Sequence, residues 1–373
     1  MVKKRVLILH ISKFGGHSRA AFNIKEALEY RQPDIEVLNI NAFGYFYPNT
    51  EKVIDLLYTL TIKHFPSLWG KVYDRDSIVK FFSPPWQLLN YLSKNRFFCL
   101  IKEFEPQAIV ATQAFPCGIA GYCKSFYKLT TPLVAVVTDY YPHRFWIHPE
   151  VNVYSLGCPM AKEILVKEGV KESKIKILGI PISIKFLTSY QRKEVGQMLG
   201  LSLQLPAVLI MGGGIGIGAM EEVALYIDRL DIELQIIVVC GKNKKLYKWF
   251  EKNKKKFRKP LFYFSYIDFV HKLMDFCDVI VTKPGGITTA EALSKNLAII
   301  VVNFIPGQEE RNVNYLLRRG AILKAKNVPE VGTIIKRILK NKSELFYLQE
   351  KAGENAVRDS SLKIADLVLK MIG

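Results

Sequence analysis

The segment Thr282–Leu293 places glycines, hydroxyls and a carboxylate between a predicted strand and a predicted helix. It reads Thr-Lys-Pro-Gly-Gly-Ile-Thr-Thr-Ala-Glu-Ala-Leu, after an apolar run typical of a buried strand. Glycine lets the backbone approach a ligand closely, and the first N–H groups of a helix lack intrahelical partners, so such a corner favours a bound phosphate. The helix dipole contributes only about 0.3–1 kcal/mol, so specificity must come from side chains.

Two nearby side chains could supply that specificity. The carboxylate of Glu291 can hold a ribose diol, and the amide of Gln308 can donate to and accept from sugar hydroxyls. Thr288 and Glu291 also have the spacing of a helix capping box, which is a purely structural interpretation. The Pro-Gly-Gln-Glu sequence around Gln308 favours a ligand.

A second glycine-rich turn, Gly212–Gly218, also follows a predicted strand. It lacks the G-x-G-x-x-G spacing of dinucleotide-binding folds, and Gly241-Lys242 is followed by Asn rather than the Ser or Thr of a P-loop. These departures count against NAD and ATP. Two glycine turns in one half of the chain favour phosphate binding over two turns without a ligand.

In the N-terminal half, His17 follows a Gly-Gly turn at the start of a predicted helix. The positive end of the helix dipole should lower its pKa and leave a neutral imidazole that can accept a proton, although a polar capping residue is the alternative. Thr138 and Asp139 end another predicted strand, where such sheets carry functional side chains. His143 and His148 have no third ligand candidate nearby, so we expect no metal.

Apolar strands alternate with predicted helices along the 373 residues. The predicted strands are Val6–Ile11, Ile35–Ile40, Ala108–Thr112, Leu133–Thr138, Ala207–Met211, Gln235–Cys240, Leu261–Phe264, Val279–Val281 and Ala298–Val302. This alternation predicts an α/β fold with two doubly wound, Rossmann-like domains facing a cleft. We expect domains at 1–185 and 186–345, joined by a polar linker at 183–205, and a C-terminal helix within 346–373 that packs back on the N-terminal domain.

Two segments predict an interaction surface. Lys242–Lys259 holds ten basic residues and one acid, which gives +9 of the net charge of +19. This charge suits a polyanion, either nucleic acid or an anionic bilayer, and it suits a solvated helix and loop equally well. Residues 53–92 are aromatic and apolar with interspersed lysines. Phe65, Trp69 and Trp86 within them suit an interfacial segment, although ordinary core helices are the alternative.

Cysteine usage and hydropathy bear on the compartment. The six cysteines show no CxxC pair or metal spacing, as expected of reduced cytosolic thiols. The apolar run Val6–Ile11 is too short for a signal peptide, and no run approaches the ~20 apolar residues that span a bilayer. The chain is therefore expected to be soluble or to lie on a membrane surface. Together with the basic and aromatic segments, this predicts a cytoplasmic protein, peripheral on the inner face of the cell membrane.

With these residues placed, the chain resembles the monogalactosyldiacylglycerol synthase and processive diacylglycerol glucosyltransferase family, which has the GT-B fold. The motifs that carry the resemblance are Gly15-Gly16-His17, Thr138-Asp139 with His143 and Trp146, Leu178-Gly-Ile-Pro181, Met211-Gly-Gly-Gly214, Cys240-Gly241-x-Asn243, Thr282-Lys-Pro-Gly-Gly286, Glu291-Ala-Leu293 and Pro306-Gly-Gln-Glu309 with Asn312.

The resemblance implies a UDP-sugar site in the C-terminal half and a diacylglycerol site in the N-terminal half. Ile267 would lie near uracil, Glu291 would hold the ribose, and Gln308 with Glu309 would hold the hexose. The diphosphate would lie near Gly214, Gly286 and Thr288. The remaining donor-site candidates are Gly16, Gly213, Pro284, Gly285 and Asn312, and the acceptor or membrane candidates are His143, Trp146, Phe65, Trp69 and Trp86. His17 or Asp139 would be the base.

We therefore expect an inverting transfer of glucose or galactose from a UDP-sugar to diacylglycerol, with no cofactor, no metal and no nucleic acid partner. Two other enzymes remain open on these residues: an N-acetylglucosaminyltransferase acting on a peptidoglycan lipid intermediate, and a UDP-sugar 2-epimerase. A nucleic-acid binder attracted to the basic block is the non-enzymatic alternative, and it would have no use for Gln308.

Overall fold

The computed structural model describes residues 3–11, 15–48, 91–304 and 307–373, and of Gln308 it describes the backbone alone. The chain forms two compact units. The N-terminal unit comprises Met1–Ile184, Ile305–Arg311 and Asp359–Gly373, and the C-terminal unit comprises Lys185–Phe304 and Asn312–Arg358.

The N-terminal unit is built on a parallel sheet with the strand order β2-β1-β3-β4-β5-β6. Its strands are β1 Arg5–His10, β2 Glu36–Asn41, β3 Ala108–Ala111, β4 Leu133–Val136, β5 Val153–Leu156 and β6 Ile175–Ile177. Its first helices are α1 Gly16–Arg31, α2 Ala42–Phe46, α3 at 91–104, α4 Ala114–Tyr127 and α5 Pro159–Lys167. Strands β3 and β4 are buried along their whole length, which explains their unbroken apolar sequences.

The C-terminal unit repeats this design with the strand order β12-β11-β10-β7-β8-β9, again all parallel. Its strands are β7 Ala207–Met211, β8 Gln235–Val239, β9 Leu261–Phe264, β10 Val279–Thr282, β11 Ala298–Val301 and β12 Leu323–Lys324. The helices are α6 Arg192–Leu199, α7 Met220–Asp228, α8 Lys244–Asn253, α9 Val270–Phe276, α10 Gly286–Ser294, α11 Gln308–Arg318, α12 Val328–Lys340 and α13 Lys342–Glu354.

A last helix, α14 (Ser360–Met371), belongs to the N-terminal unit. Its buried Ile364, Ala365 and Val368 join Ala21 and Ile24 of α1 in one hydrophobic cluster. Helix α14 therefore completes the core behind the helix that carries His17.

The segment 346–373, expected to form a single C-terminal helix, belongs to two helices, α13 and α14. The break falls at Asn355, whose side chain accepts a hydrogen bond from Arg319 Nε at 2.8 Å and donates one to the Lys351 carbonyl at 2.8 Å. Helix α13 thus ends at a residue that a tertiary contact with Arg319 holds, where the sequence pattern alone continues.

The predicted linker 183–205 contains helix α6. Its Arg192 donates to both carboxylate oxygens of Asp278 at 3.0 Å and to the Leu205 carbonyl at 2.8 Å. Only Val195 and Gly196 of this helix are buried, so its apolar pattern is too weak to show in the sequence.

Candidate active site

Each sheet has a point where the strand order reverses, and functional residues collect there. The reversal lies between β1 and β3 in the N-terminal unit and between β7 and β10 in the C-terminal unit. In open α/β sheets, the loops at the carboxyl ends of the strands leave a crevice at this point. The turn to His17 follows β1, and the two glycine corners follow β7 and β10.

In the N-terminal unit, His17 is the second residue of α1, and its ring is held by two threonines. The Nδ1 atom lies 3.0 Å from the Thr112 carbonyl oxygen and 2.9 Å from Thr138 Oγ1. A carbonyl oxygen can only accept, so this network assigns the proton to Nδ1. In the neutral ring, Nε2 then carries the free lone pair.

The surroundings of His17 favour that neutral form. Burial lowers its pKa below the usual value of 6.5, while the Asp139 carboxylate and the Thr112 carbonyl act in the opposite direction. Asp139 is itself 8% exposed and follows β4, as the sequence predicts. The cluster thus offers a neutral base beside a carboxylate that can stabilise the imidazolium formed on proton uptake.

His143 lies next to this cluster. Burial, and to a lesser degree the charge of His17, lower its pKa to about 3. Its ring lies 6.2 Å from the ring of Trp146, which is 2% exposed. Trp146 therefore supports His143 from the core and presents no surface to lipid in this structure.

In the C-terminal unit, the first glycine corner, Gly212–Gly218, is a compact backbone turn. The N–H of Gly216 donates to the Gly213 carbonyl at 3.0 Å, and the Asn243 side chain donates to the Gly216 carbonyl at 2.9 Å. A Cβ on Gly216 would lie 2.0 Å from the Cys240 carbonyl oxygen, so only glycine fits there. On Gly214 a Cβ would meet no atom within 4 Å, so this residue faces open space.

The second glycine corner, Lys283–Gly286, lies beside the first. Thr282 pairs with Met211 across β10 and β7, and its hydroxyl donates to the Met211 carbonyl at 2.6 Å. Both corners therefore start from neighbouring strand ends. Helix α10 begins at Gly286 with Gly285 as its N-cap.

The capping-box interpretation of Thr288 and Glu291 is wrong. Thr288 is the third residue inside α10, because the helix starts three residues earlier than that interpretation requires. The hydroxyl that bonds back to the helix start is that of Thr289, which donates to the Gly285 carbonyl at 2.9 Å. Glu291 lies in the middle of the helix and is 4% exposed.

Helix α11 and the loop after β9 hold four further predicted donor residues, whereas Gly16 is the first residue of α1. Asn312 is fully buried, and its Nδ2 lies 3.5 Å from the Pro284 carbonyl oxygen, so it supports the second corner. Glu309 and Ile267 are half-buried. The side chain of Gln308 lies outside the described residues, as do the predicted membrane residues Phe65, Trp69 and Trp86.

Two family models match nearly the whole chain in succession. The first, described as monogalactosyldiacylglycerol (MGDG) synthase, matches residues 17–182, and the second, the glycosyltransferase family 28 C-terminal domain, matches residues 207–367. The chain belongs to the monogalactosyldiacylglycerol synthase family of glycosyltransferases.

Curated relatives agree with that assignment. This glycosyltransferase is 26% identical to the processive diacylglycerol beta-glucosyltransferase of Staphylococcus carnosus, over 99% of this chain and 93% of the relative. It is 29% identical to the chloroplastic monogalactosyldiacylglycerol synthase 3 of Arabidopsis thaliana, over 95% of this chain and 78% of the relative.

Solved structures confirm the predicted fold class, α/β of the GT-B type. MurG of Acinetobacter baumannii superposes with a TM-score of 0.64 at 15% identity, covering 98% of this chain and 99% of MurG. Anabaena HepE in complex with UDP-glucose superposes with a TM-score of 0.57 at 12% identity, covering 98% of this chain and 99% of HepE.

Sequence reasoning did not single out two residues of this glycosyltransferase. Thr112 was placed at the end of a predicted strand, whereas it follows β3 and orients His17. Lys283 lies inside the motif that opened the sequence analysis, but its side-chain direction could not be read from spacing.

Two membrane- and metal-related observations concern the described part of the chain alone. No helix there combines the length and apolar character needed to cross a bilayer. No group of three or more His, Cys, Asp or Glu side chains there could hold a metal ion.

Proposed function

We propose that this glycosyltransferase moves glucose or galactose from a UDP-sugar to the hydroxyl of diacylglycerol, with inversion at the anomeric carbon. The acceptor class rests on the curated relatives, whose names specify diacylglycerol. The observation that carries the donor site is the pairing of Met211 with Thr282, which puts two glycine corners side by side where the strand order reverses.

In the proposed reaction, Nε2 of His17 takes the proton from the acceptor hydroxyl as that oxygen attacks the anomeric carbon. The bond between this carbon and the UDP oxygen breaks, and UDP leaves with the bonding electrons. The imidazolium is stabilised by Asp139, and the Thr112 carbonyl keeps Nδ1 protonated throughout. The observed hydrogen bond thus favours His17 over Asp139 as the base.

The diphosphate would lie on the two glycine corners. Open space at Gly214 and the free N–H groups of the first turn of α10 suit a bound phosphate, and the helix dipole favours its negative charge. Buried Glu291 would accept from the ribose diol. We expect turnover to persist in EDTA, since these groups supply the positive potential that a cation would otherwise provide.

The proposed membrane contact lies on helix α8. Its Leu246 and Phe250 are buried against the sheet, while Lys244, Lys245 and Lys248 are exposed. Between residues 242 and 258 the only acid is Glu251, which is also exposed. This face suits an anionic bilayer, near which each cation contributes about 1 kcal/mol at low salt.

The decisive experiment incubates the full chain with diacylglycerol vesicles and either UDP-glucose or UDP-galactose, followed by mass analysis of the lipids and NMR of the new anomeric centre. We expect a β-linked hexosyl lipid from one donor and free UDP in equal amount. Turnover of neither donor would contradict the proposal.

Parallel reactions address the other activities on this fold. A reaction with UDP-N-acetylglucosamine and a peptidoglycan lipid intermediate tests that transferase, and a UDP-sugar incubated without lipid tests epimerisation at C2. Product in either reaction, with none on diacylglycerol, would replace the proposed function.

A further inference from the structure

The side chain of Lys283 lies between the two glycine corners. Its Nζ lies 3.6 Å from the position that a Cβ atom on Gly285 would occupy. Its Cε lies 3.7 Å from the position of a Cβ atom on Gly213. One half-buried cation therefore borders both turns that would hold the diphosphate.

A second observation points to an anion at the same place. The hydroxyl of Thr288 lies 3.9 Å from the same point on Gly213, and Thr288 is 8% exposed. Within the described ranges this hydroxyl makes no hydrogen bond, whereas the neighbouring Thr289 hydroxyl bonds back to its own helix. A hydroxyl that can donate, near the same point on Gly213 as the Lys283 side chain, suits a phosphate, whose oxygens accept hydrogen bonds.

We propose that Lys283 binds the donor diphosphate directly and neutralises the charge that develops on UDP as it leaves, with Thr288 donating to the same group. The inference rests on the proposed function and adds to it the cation at the leaving group. A Lys ammonium is a compact point charge with three donors, so it can follow the phosphate oxygens as the glycosidic bond breaks.

Calorimetric titration tests this assignment with UDP and uridine as separate probes. Lys283→Gln should weaken UDP binding about 10- to 100-fold, the size of a lost hydrogen bond to a charged group, and should change uridine binding less than about threefold. Lys283→Arg should keep most of the UDP affinity. Thr288→Val should weaken UDP binding by a smaller factor, because its hydroxyl is neutral.

Two controls separate a local effect from a general one. Lys326→Gln removes an exposed lysine elsewhere in the C-terminal unit and should bind UDP like the wild type. Thermal unfolding should show the same midpoint for Lys283→Gln and wild type. Added salt should weaken UDP binding less in Lys283→Gln than in wild type, because the variant has lost a charge.

The outcomes are distinct. Equal UDP affinity of Lys283→Gln and wild type would overturn the role of Lys283 and leave the proposed function standing. A wild-type protein that binds no UDP would overturn both. Equal losses for UDP and uridine would show that Lys283 supports the fold of the site and does not contact the diphosphate.

Discussion

At the scale of single residues, the proton on His17 decides the chemistry. The hydrogen bond from Nδ1 to the Thr112 carbonyl fixes the neutral tautomer and leaves Nε2 as the acceptor. From the sequence we predict that His17 is a base and that the helix dipole lowers its pKa. In the structure, burial is the cause that lowers this pKa, and burial is a tertiary effect that no local pattern contains.

Replacing His17 by Ala removes the proposed base. We expect kcat to fall about 10²- to 10⁴-fold while UDP affinity stays unchanged, since the base contributes in the transition state and not to donor binding. Steady-state kinetics and calorimetry measure the two effects separately. Tyr30→Ala, an exposed position on the same helix, is the matched control. Wild-type turnover in His17→Ala would exclude this residue from the reaction.

The pH profile provides an independent check. Neutral His17 is the active form and its pKa is lowered, so kcat/KM should rise with pH through an apparent pKa below 6.5 and then level off. Asp139 raises the pKa of His17, so Asp139→Asn should move this acid limb to still lower pH. His143, with a pKa of about 3, stays neutral across this range. An acid limb that moves to higher pH in Asp139→Asn would contradict the assignment.

At the scale of elements, long apolar strands were predictable and short or polar elements were not. Ala207–Met211 and Leu261–Phe264 were predicted with the observed bounds. By contrast, β6 (Ile175–Ile177) has three residues, of which only Ile175 is buried, and β12 has two. Such strands are stabilised by pairing with their neighbours, which a linear sequence does not display.

Helix α8 allows a test of the membrane proposal. Changing Lys244, Lys245 and Lys248 to Glu should lower affinity for anionic vesicles at least about 100-fold, since three cations contribute about 3 kcal/mol near such a surface. Sedimentation with vesicles of increasing anionic lipid content, at several salt concentrations, measures the change. A matched control reverses the exposed Lys193, Lys326 and Lys340.

Two results would contradict this use of α8. Vesicle binding that changes with neither the salt concentration nor the anionic lipid content would exclude an electrostatic contact. Tight RNA binding that the three α8 substitutions abolish, without any change in vesicle binding, would assign the basic face to nucleic acid.

At the scale of the whole molecule, each unit completes a core around its own parallel sheet, and the N-terminal core depends on α14. Ile364, Ala365 and Val368 are fully buried against α1, and the Ser361 hydroxyl donates to the Ile182 carbonyl at 2.5 Å. Apolar spacing predicts a helix here. Its packing on α1, some 340 residues earlier in the chain, cannot be read from that spacing.

Truncating Ile364 to Ala should destabilise the N-terminal unit by about 2–5 kcal/mol, because the side chain is fully buried and leaves a cavity. Urea unfolding monitored by circular dichroism measures the loss. Lys370→Ala, exposed on the same helix, should change stability by less than about 0.5 kcal/mol. Equal stability of Ile364→Ala and wild type would show that α14 contributes little to this core.

The late position of α14 in the chain has a consequence for biosynthesis. When residues 1–184 leave the ribosome, α14 has not yet been made, and the part of α1 that packs on it must wait until the whole C-terminal unit has been translated. At about 5–20 residues per second this delay is on the order of 10 s. The first half of the nascent polypeptide thus exposes additional apolar surface for that time, and such surface is prone to aggregation.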